Sequence, residues 1–339
     1  MRISRSIKLL LSFALFSSTL SFALDKISIG YLSSTGQGKY FIAKETGIFE
    51  KNGLDVTLVE FANSGDGIAA VRAGKLDAGS FGAIAPMVHI AGGAEIRFVA
   101  GLMGEDAAII TRKENADKIK SLADVKGKKL GTIRLGTGDA VLRGGLKDAG
   151  LNWKKDVSIV ELKNPPAVIE AVKNGTIYAG VTWGPHDQRA EEASLAVVLR
   201  SRDIAPGHIC CRLIALQRKI QGREDIYKRI AKSLLEAEYI VQNDHKKSTE
   251  IIAKYIHLSP ELVNKAFYSG FVDQTSDPNV KGIEYFWNTM KDADYIQSDK
   301  DIKKYVITKF YKDALDELVK ENPKETFYAE REKIFATRN

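Results

Sequence analysis

The sequence predicts an α/β protein made of two similarly built lobes, with a helical segment at the C-terminal end. Between Asp25 and about Leu199, short apolar segments alternate with segments of helical spacing, a pattern typical of α/β folds with a largely parallel sheet. The sequence AVRAGKLDAGSFG (Ala70–Gly82) returns as AVKNGTIYAGVTWG (Ala171–Gly184). Two matched units of this kind indicate two lobes of similar construction.

The first half of the chain supplies the alternating elements in order. Strands are predicted where apolar residues run together over a short stretch, and helices where they recur every three to four positions. In chain order the segments are KISIGYL (strand), GKYFIAKETGIFEKNG (helix), LDVTLVEF (strand), GDGIAAVRAGK (helix), LDAGSFG (strand), AIAPMVHIAGG (helix) and IRFVAGL (strand). The glycine that follows the helix in each repeated unit fits a left-handed helix cap.

The last third of the chain, from about Gln217, predicts helices. Apolar residues recur at helical spacing in EDIYKRIAKSLLEAEYIVQN, KKSTEIIAKYI, SPELVNKAFYS and DIKKYVITKFYKDALDELVKEN. Ser259 followed by Pro260 is typical of a helix start. We expect these helices to pack on one lobe.

Residues 1–23 are predicted to be a cleavable secretory signal. The cations Arg2, Arg5 and Lys8 precede an apolar run that ends in small residues at Ala23, as signal peptides do. The alternative is a membrane anchor, but the run is shorter than the roughly 20 residues that a bilayer span needs. Removing three cations lowers the formal net charge from +7 to +4 (7 − 3). We therefore expect export to a periplasm.

The remaining charge does not indicate a nucleic-acid partner. Lys and Arg are interleaved with Asp and Glu along the chain, whereas nucleic-acid binders concentrate their cations in a patch. The mixed charges are better interpreted as a solvated surface.

Motifs of nucleotide-binding, hydrolytic and metal-dependent enzymes are missing from the sequence. Gly74 and Lys75 lack the earlier glycine of a P-loop, and Val141 occupies the third glycine position of a dinucleotide fingerprint,. No Gly-x-Ser-x-Gly, His-Glu-x-x-His or Cys-x-x-Cys pattern occurs,. The sequence therefore favours a binding protein without a cofactor over an enzyme.

Several segments resemble a known family of binding proteins. YFIAKETGIFEKNGLDV, AVRAGKLDAG, SLADVKGKKLGT, LKDAGLNWKKDV and AVIEAVKNGTIYAGVTWGP are similar to the substrate-binding proteins of ABC importers for nitrate, sulfonates and taurine. That superfamily also includes proteins that handle the thiamine pyrimidine precursor. The likeness runs from about Lys26 to Arg218.

The resemblance implies the two-lobed periplasmic-binding-protein fold (type II), in which the lobes close around a small molecule. It also implies delivery of that molecule to an inner-membrane ABC permease with its ATPase, and we expect a monomeric binding protein. The chain would cross between lobes twice, near residues 111–113 and 208–216. Lobe one would then comprise residues 25–112 and 217–339, including the C-terminal helices, and lobe two residues 113–216.

Ligand-binding residues are expected in the loops that follow strands and open helices. Ligands of open α/β sheets lie beyond the carboxyl ends of the strands, where helix N-termini offer backbone N–H groups. For Ser and Thr at a helix start the alternative role is an N-cap, and for Phe81 and Trp183 it is a place in the core. The candidates are Thr35, Gln37, Tyr40, Ser64, Ser80, Phe81, Asp106, Thr137, Asp139, Trp183, His186, His208 and Cys210.

Acidic residues in the same loops argue against a simple anion as the ligand. They are Asp66, Glu105, Asp106, Asp139 and Asp187. A carboxylate beside a bound anion is unfavourable, and more so once water is excluded, although acids in the first turn of a helix also complement its dipole. The set favours an amine-bearing, heteroaromatic or zwitterionic ligand.

Cys210 and Cys211 are the only cysteines of the chain, and they lie where the chain is expected to cross back between the lobes. Neighbouring side chains of a strand point to opposite faces, so one thiol is expected in the cleft and the other in the core. Three interpretations stay open. The thiols are inert and buried, they form a vicinal disulfide in an oxidising compartment, or they bind a soft metal with His208 and with His186 or His89.

Two other functions are compatible with the sequence. One is an exported, metal-using enzyme related to synthesis of the thiamine pyrimidine precursor, and the other is a ligand-sensing module that docks on a membrane receptor. A metal requirement or turnover would distinguish the enzyme from a binding protein.

Overall fold

Ten β-strands and fifteen α-helices make up residues 23–339, which are the residues described by the structure, a computed structural model. The predicted signal segment, apart from Ala23, lies outside the described residues. Among the described residues, no helix combines the length and the apolar character that a bilayer span requires.

The strands form two five-stranded mixed sheets. In chain order they are β1 (Asp25–Leu32), β2 (Leu54–Phe61), β3 (Ala78–Gly82), β4 (Ile96–Gly101), β5 (Ala107–Arg112), β6 (Lys129–Thr132), β7 (Ser158–Glu161), β8 (Ala179–Trp183), β9 (Leu195–Arg200) and β10 (Cys211–Leu216). The first sheet has the order β2-β1-β3-β10-β4 and the second the order β7-β6-β8-β5-β9. In each sheet four strands run in the same direction, and the fourth in the order, β10 or β5, is antiparallel to its neighbours. The prediction of an α/β fold with two similar halves is confirmed.

Helices cover the sheets and make up most of the chain after β10. They are α1 (Gly38–Glu45), α2 (Ile48–Lys51), α3 (Ser64–Arg72), α4 (Ile84–Ala91), α5 (Thr137–Asp148), α6 (Pro165–Lys173), α7 (His186–Glu192), α8 (Ser201–Ile204), α9 (Gln217–Ile220), α10 (Glu224–Asn243), α11 (His245–Ile256), α12 (Pro260–Phe267), α13 (Val280–Asp292), α14 (Lys309–Glu321) and α15 (Thr326–Arg338). Ser259 caps α12 by accepting a hydrogen bond from Leu262 N, with Pro260 at the first helical position, as predicted. The helical C-terminal segment is therefore also confirmed.

The repeated sequence motif forms the same unit in both sheets. Its first copy spans α3 and β3 and its second spans α6 and β8, and β3 and β8 are the central strands of their sheets. The predicted left-handed caps are present, since Gly74 has φ 73° and Gly175 has φ 78°. The glycine of each Ala-Gly pair is required by close packing, because a Cβ built at Gly180 would lie 2.5 Å from a Val168 methyl carbon.

The chain passes between the sheets one strand before each of the predicted lobe boundaries, at 112 and 216, although the return passage still falls partly within the predicted crossing at 208–216. β5 pairs with β8 and β9 of the second sheet, so the first passage lies at residues 102–106 and not at 111–113. β10 pairs with β3 and β4 of the first sheet, so the return passage ends at Cys210. The lobe boundaries predicted at 112 and 216 are corrected accordingly. From here on, lobe one means the first sheet together with the C-terminal helices. Lobe two means the second sheet together with its helices.

The C-terminal segment of lobe one also contacts lobe two. Trp153 Nε1 donates a hydrogen bond to the carbonyl of Ala293 at 2.8 Å. On α12, Lys265 Nζ lies 2.8 Å from a carboxylate oxygen of Glu191 on α7. The two lobes are thus held together outside the cleft as well as across it.

A buried network of charges ties α15 and α1 to α10. The Glu238 carboxylate is fully buried, with one oxygen 2.5 Å from Arg331 Nε and the other accepting a hydrogen bond from Ser276 N at 2.6 Å. Lys39 Nζ lies 3.8 Å from the second oxygen and donates to the carbonyl of Gln274 at 2.6 Å. Glu238 therefore balances two buried cations from opposite ends of the chain.

Candidate functional site

A small cavity lies where the two lobes meet, beyond the carboxyl ends of the central strands. Its volume is about 30 Å³, which is room for about two water molecules. We call it the inner cavity. Its walls are Leu32, Ser34, Ser64, Gly82, Asp106, Ala107, Gly136, Thr137, Gly138, Trp183, Cys210 and Cys211.

Five of the predicted binding residues line this cavity: Ser64, Asp106, Thr137, Trp183 and Cys210. They come from both lobes and from the two passages between them, so the closed arrangement of the lobes brings them together. A ligand in this position would touch both halves of the molecule.

Several buried polar groups in and around the cavity lack hydrogen-bond partners. The hydroxyls of Tyr40, Ser80 and Thr137 are buried and make no hydrogen bond of normal geometry. The side-chain amide of Gln37 is fully buried with neither atom partnered. A buried polar group without a partner costs about 1–3 kcal/mol, so such a concentration at a predicted binding site is typical of groups that bind a ligand.

Gly184, which follows β8, makes one contact across the cleft, since Thr35 Oγ1 lies 3.4 Å from its carbonyl oxygen. On its own side of the cleft, where Asp106 precedes β5, Gly184 N donates to Asp106 Oδ1 at 3.3 Å. Thr35 thus contributes to closure of the lobes and does not line the inner cavity.

Asp106 places a carboxyl group on the cavity wall. Of the five acids predicted near the site, it is the one that lines the cavity; Asp187 is bound by Arg200 and Gln188, and Glu105 accepts a hydrogen bond from Gly207 N at 2.6 Å. Burial, with the nearby Cys210 and Asp187, raises the pKa of Asp106 well above its usual value. A ligand group that donates a hydrogen bond to Asp106 would offset this cost.

Two helices begin at the wall of the cavity. Ser64 begins α3 and Thr137 begins α5, and both line the cavity. Helix N-termini favour negative or acceptor groups. The inner cavity therefore has an acceptor on one wall and helix N-termini on the others, an arrangement that suits a ligand bearing both donor and acceptor groups.

Trp183 separates the inner cavity from an outer groove of about 150 Å³. The groove also lies between the lobes, with Glu60 and Phe61 on one side and Arg189 and His186 on the other. The predicted candidate His186 is thus at the mouth, where burial lowers its pKa to about 4. Trp183 is half-buried and forms part of both walls, so its ring is placed to cover a ligand.

Two predicted binding residues, Phe81 and Asp139, do not line the inner cavity. The matched strand ends suggested that Phe81 and Trp183 would behave alike, but Phe81 is fully buried in the core of lobe one against Phe61. Asp139 Oδ1 accepts from Arg143 Nε at 2.8 Å, and Oδ2 accepts from the Tyr295 hydroxyl at 2.9 Å. Both carboxylate oxygens are engaged, so Asp139 links the lobes instead of offering a free acceptor.

His208 points away from the inner cavity. Its Nδ1 lies 2.8 Å from the carbonyl oxygen of Ile209, its Nε2 has no partner, and its ring packs edge-on against Phe286 of α13. Because the carbonyl must accept, Nδ1 carries the proton of the neutral ring. Burial lowers the pKa of His208 to about 4.

We expect His208 to make the fold sensitive to acid between pH 6.5 and 4. Its folded-state pKa of about 4 lies below the roughly 6.5 of an unfolded histidine, so the unfolded chain binds the proton first. The stability is fully present above pH 6.5 and is lost as the pH falls towards 4. His208→Asn, which keeps a donor for the Ile209 carbonyl, should recover roughly 2 kcal/mol of the loss at pH 4.5, measured by urea unfolding at pH 7 and pH 4.5.

His257→Asn is the matched control for this measurement. His257 is exposed and has φ 54°, a left-handed conformation that Asn tolerates. The free energy of unfolding of His257→Asn should depend on pH as that of the wild type does. If His208→Asn also showed the wild-type dependence, His208 would not be the source of the acid sensitivity.

The two cysteines lie on the same side of the chain. Both line the inner cavity, with Sγ atoms 3.8 Å apart and both thiols free. The predicted alternation between cleft and core does not occur, because β10 begins only at Cys211 and Cys210 belongs to the passage. Among residues 23–339, no three His, Cys, Asp or Glu side chains are grouped to hold a metal ion, so the geometry does not support the soft-metal interpretation with His208.

A model of the NMT1-like family matches residues 23–257. The chain belongs to the NMT1-like family. A protein of Brucella abortus (strain 2308) that is named as a binding protein is 28% identical to this NMT1-like chain over 234 residues, which cover 68% of this chain and 71% of the relative. A Haemophilus influenzae protein named for thiamine biosynthesis is 32% identical over 148 residues, covering 42% and 45%. The resemblance seen in the sequence is confirmed.

Solved structures share the fold of this NMT1-like chain. The periplasmic aliphatic sulphonate-binding protein of Escherichia coli matches with a TM-score of 0.72 and 20% identity, covering 84% of this chain and 92% of its own. The periplasmic nitrate-binding protein of Synechocystis PCC 6803 matches with a TM-score of 0.76 and 16% identity, covering 87% and 89%. The two-lobed periplasmic-binding-protein fold is therefore confirmed.

Sequence reasoning missed several cavity residues of this NMT1-like chain. Ser34, Gly82 and Gly136 line the cavity and lie in or next to loops that the sequence marked as strand ends. Glycine has no functional group that would mark it as a binding residue. Its small size is nevertheless required here, because a Cβ at Gly82 would lie 3.0 Å from Thr137 Oγ1 of the other lobe. Small residues at strand ends of both lobes were the available signal.

Proposed function

We propose that this protein is the periplasmic solute-binding component of an ABC importer, which captures a small organic molecule between its lobes. The observation that carries the proposal is a cavity built by both lobes, whose wall holds the Asp106 carboxyl group and the buried, unpartnered hydroxyl of Thr137. The relatives named as binding proteins support it. Export through the N-terminal segment and delivery to an inner-membrane permease belong to the same proposal.

The ligand is a zwitterionic or heteroaromatic compound with at least one N–H donor. The donor faces the Asp106 carboxyl group, acceptor atoms face the starts of α3 and α5, and the ring or carbon skeleton lies under Trp183. A compact inorganic anion would leave Asp106 unpaired beside a second negative charge, which is unfavourable where water is excluded.

Binding requires the lobes to separate and then close. The inner cavity of about 30 Å³ is closed off by Trp183 and Leu32, and an organic ligand needs more room than this. The ligand contacts both lobes only in the closed form, so binding shifts the population towards closure. The closed form is the one recognised by the permease.

Native mass spectrometry of the exported protein, followed by a thermal-shift screen, tests the proposal. The panel is taurine, methanesulfonate, nitrate and a 4-aminopyrimidine, at matched concentrations and pH. We expect a concentration-dependent stabilisation by the compounds that carry an N–H donor, and none by nitrate. Stabilisation by nitrate alone, or by no small molecule including whatever co-purifies, would reject the proposed ligand class.

Trp183→Ala should weaken binding of the stabilising compound by about 30-fold to 1,000-fold. The substitution removes the large aromatic surface of the Trp183 ring from the cavity wall. A buried aromatic anchor commonly contributes about 2–4 kcal/mol to binding. Trp183→Phe is the matched variant, and it should retain most of the affinity because it keeps an aromatic face. Titration calorimetry measures both. Equal affinities of the wild type and Trp183→Ala would show that the ligand does not lie under this ring.

A second function has one observation in its favour, the relative named for thiamine biosynthesis. An exported enzyme acting on the thiamine pyrimidine precursor would convert it into a product. Product formation from an aminopyrimidine, or loss of binding after metal removal, would favour the enzyme; stoichiometric, metal-independent binding favours the importer component.

A further inference from the structure

The two thiols lie side by side in the wall of the inner cavity. Their Sγ atoms are 3.8 Å apart, and the same wall holds Thr137, whose buried hydroxyl is without a hydrogen-bond partner. Cys210 is half-buried and Cys211 is buried. The Cys210 thiol is therefore the more accessible of the two.

The backbone fixes this arrangement. Cys210 N donates to the carbonyl of Met103, and the carbonyl of Cys210 accepts from Ala83 N, each at 3.0 Å. The carbonyl of Cys211 accepts from Leu102 N at 3.0 Å and from Arg212 Nη1 at 2.9 Å. The pair is held between strands of lobe one, at the return passage between the lobes.

The surroundings make the two thiols chemically unequal. The hydrogen bond from Cys211 lowers the pKa of Cys210, with a smaller effect of the Arg212 cation, against the opposing effect of burial. The pKa of Cys211 is raised, because it supports the Cys210 thiolate and is itself buried. Thiolates are the nucleophiles in disulfide exchange, so Cys210 is the attacking group of the pair.

We infer that Cys210 and Cys211 form a redox-active dithiol within the ligand cavity, which a disulfide-bearing oxidant converts to a vicinal disulfide. Cys210 thiolate attacks one sulfur of the oxidant, forms a mixed disulfide and releases one oxidant thiolate. Cys211 then loses its proton to that thiolate or to solvent, attacks the Cys210 sulfur and releases the second oxidant thiol. Two protein thiols are oxidised and one oxidant disulfide is reduced to two thiols.

Oxidation changes the shape of the binding site. The Sγ atoms must move from 3.8 Å to the roughly 2.05 Å of a disulfide, and both belong to the wall that Asp106 and Trp183 complete. The redox state of the pair and occupancy of the cavity are therefore coupled. This coupling rests on the proposed function, in which the lobes open and close: the dithiol would be accessible in the open form and covered in the closed form.

Reaction of the reduced, ligand-free protein with 4,4′-dithiodipyridine tests the inference. We expect the native wild type to release two equivalents of thiopyridone and to become two hydrogens lighter by mass spectrometry, without a retained adduct. Cys211→Ser should release one equivalent and keep one thiopyridyl adduct on Cys210. Cys210→Ser should react at least 10-fold more slowly than Cys211→Ser.

Wild-type protein that retains two adducts, or that reacts only after unfolding in guanidinium, would overturn the inference. The wild-type mass alone decides this, so a poorly folded variant does not obscure the outcome. Because no ligand is present, a failure here leaves the proposed importer function untouched, and a failure to bind the ligand panel leaves the dithiol chemistry untouched.

Discussion

We expect Glu238→Gln to lower the free energy of unfolding by about 3–5 kcal/mol, because removing one partner of a buried ion pair leaves the other charges uncompensated. Glu238 is fully buried between Arg331 and Lys39. The substitution keeps the size and shape of the side chain but leaves two cations without a counter-charge. Equilibrium unfolding in urea, with the slope m unchanged, measures the loss.

Glu317→Gln is the control for this prediction. Glu317 contacts Lys228 and Lys232 at 3.1 and 2.6 Å, but its side chain is 37% exposed, and ion pairs in contact with solvent contribute about 0–1 kcal/mol. A loss in Glu238→Gln no larger than that in Glu317→Gln would mean that the buried network does not stabilise the fold.

Asp106→Asn is expected to weaken binding of the stabilising ligand by at least about 30-fold, because truncating one partner of a buried, charge-assisted hydrogen bond costs about 2–5 kcal/mol. Asp106 lines the inner cavity, and the proposed ligand donates to it. Titration calorimetry with the panel compound that stabilises the wild type measures the effect. The same variant should lose part of its discrimination against nitrate, since the opposing charge is gone.

The same substitution should stabilise the ligand-free protein by about 0.5–2 kcal/mol at pH 7. Burial raises the folded-state pKa of Asp106 above its value in the unfolded chain, so ionisation of this group costs folded-state stability as the pH rises above about 3.9. Asn does not ionise and removes that cost. Weaker binding together with higher stability is the signature of a group kept for ligand recognition.

Asp66→Asn separates this effect from a general loss of negative charge. Asp66 is exposed in the first turn of α3 and does not line the cavity. Its substitution should leave ligand affinity within about two-fold and lower stability slightly, since an acid at a helix start complements the dipole. Reduced stability of ligand-free Asp106→Asn would contradict the proposed role of Asp106.

The sequence predicted the elements of the fold and much of the site. The repeated motif identified α3–β3 and α6–β8 as equivalent units, and helical spacing identified the C-terminal segment. Loops at strand ends pointed to Ser64, Thr137 and Asp106, which the structure places on one cavity. These successes have one cause, since apolar spacing and glycine positions are local properties that a single segment carries by itself.

Which sheet a strand joins, and which residues face the cleft between the lobes, depends on the whole chain. β5 and β10 have the apolar character of any buried strand, so nothing in their residues tells which sheet they complete. For the same reason the matched aromatics Phe81 and Trp183 separate into core and cleft, and Asp139 accepts a hydrogen bond from Tyr295, which follows α13. The two thiols share one side because backbone hydrogen bonds with Met103 and Ala83, both distant in sequence, hold Cys210 outside the strand.

By itself the sequence determined the order of strands and helices, the internal duplication and the loops that hold the polar candidates. The tertiary structure alone decided which of those candidates meet, because the cavity is made only where two sheets and the two passages between them come together. Local spacing sets which faces of an element are buried; contact between distant elements sets what they are buried against.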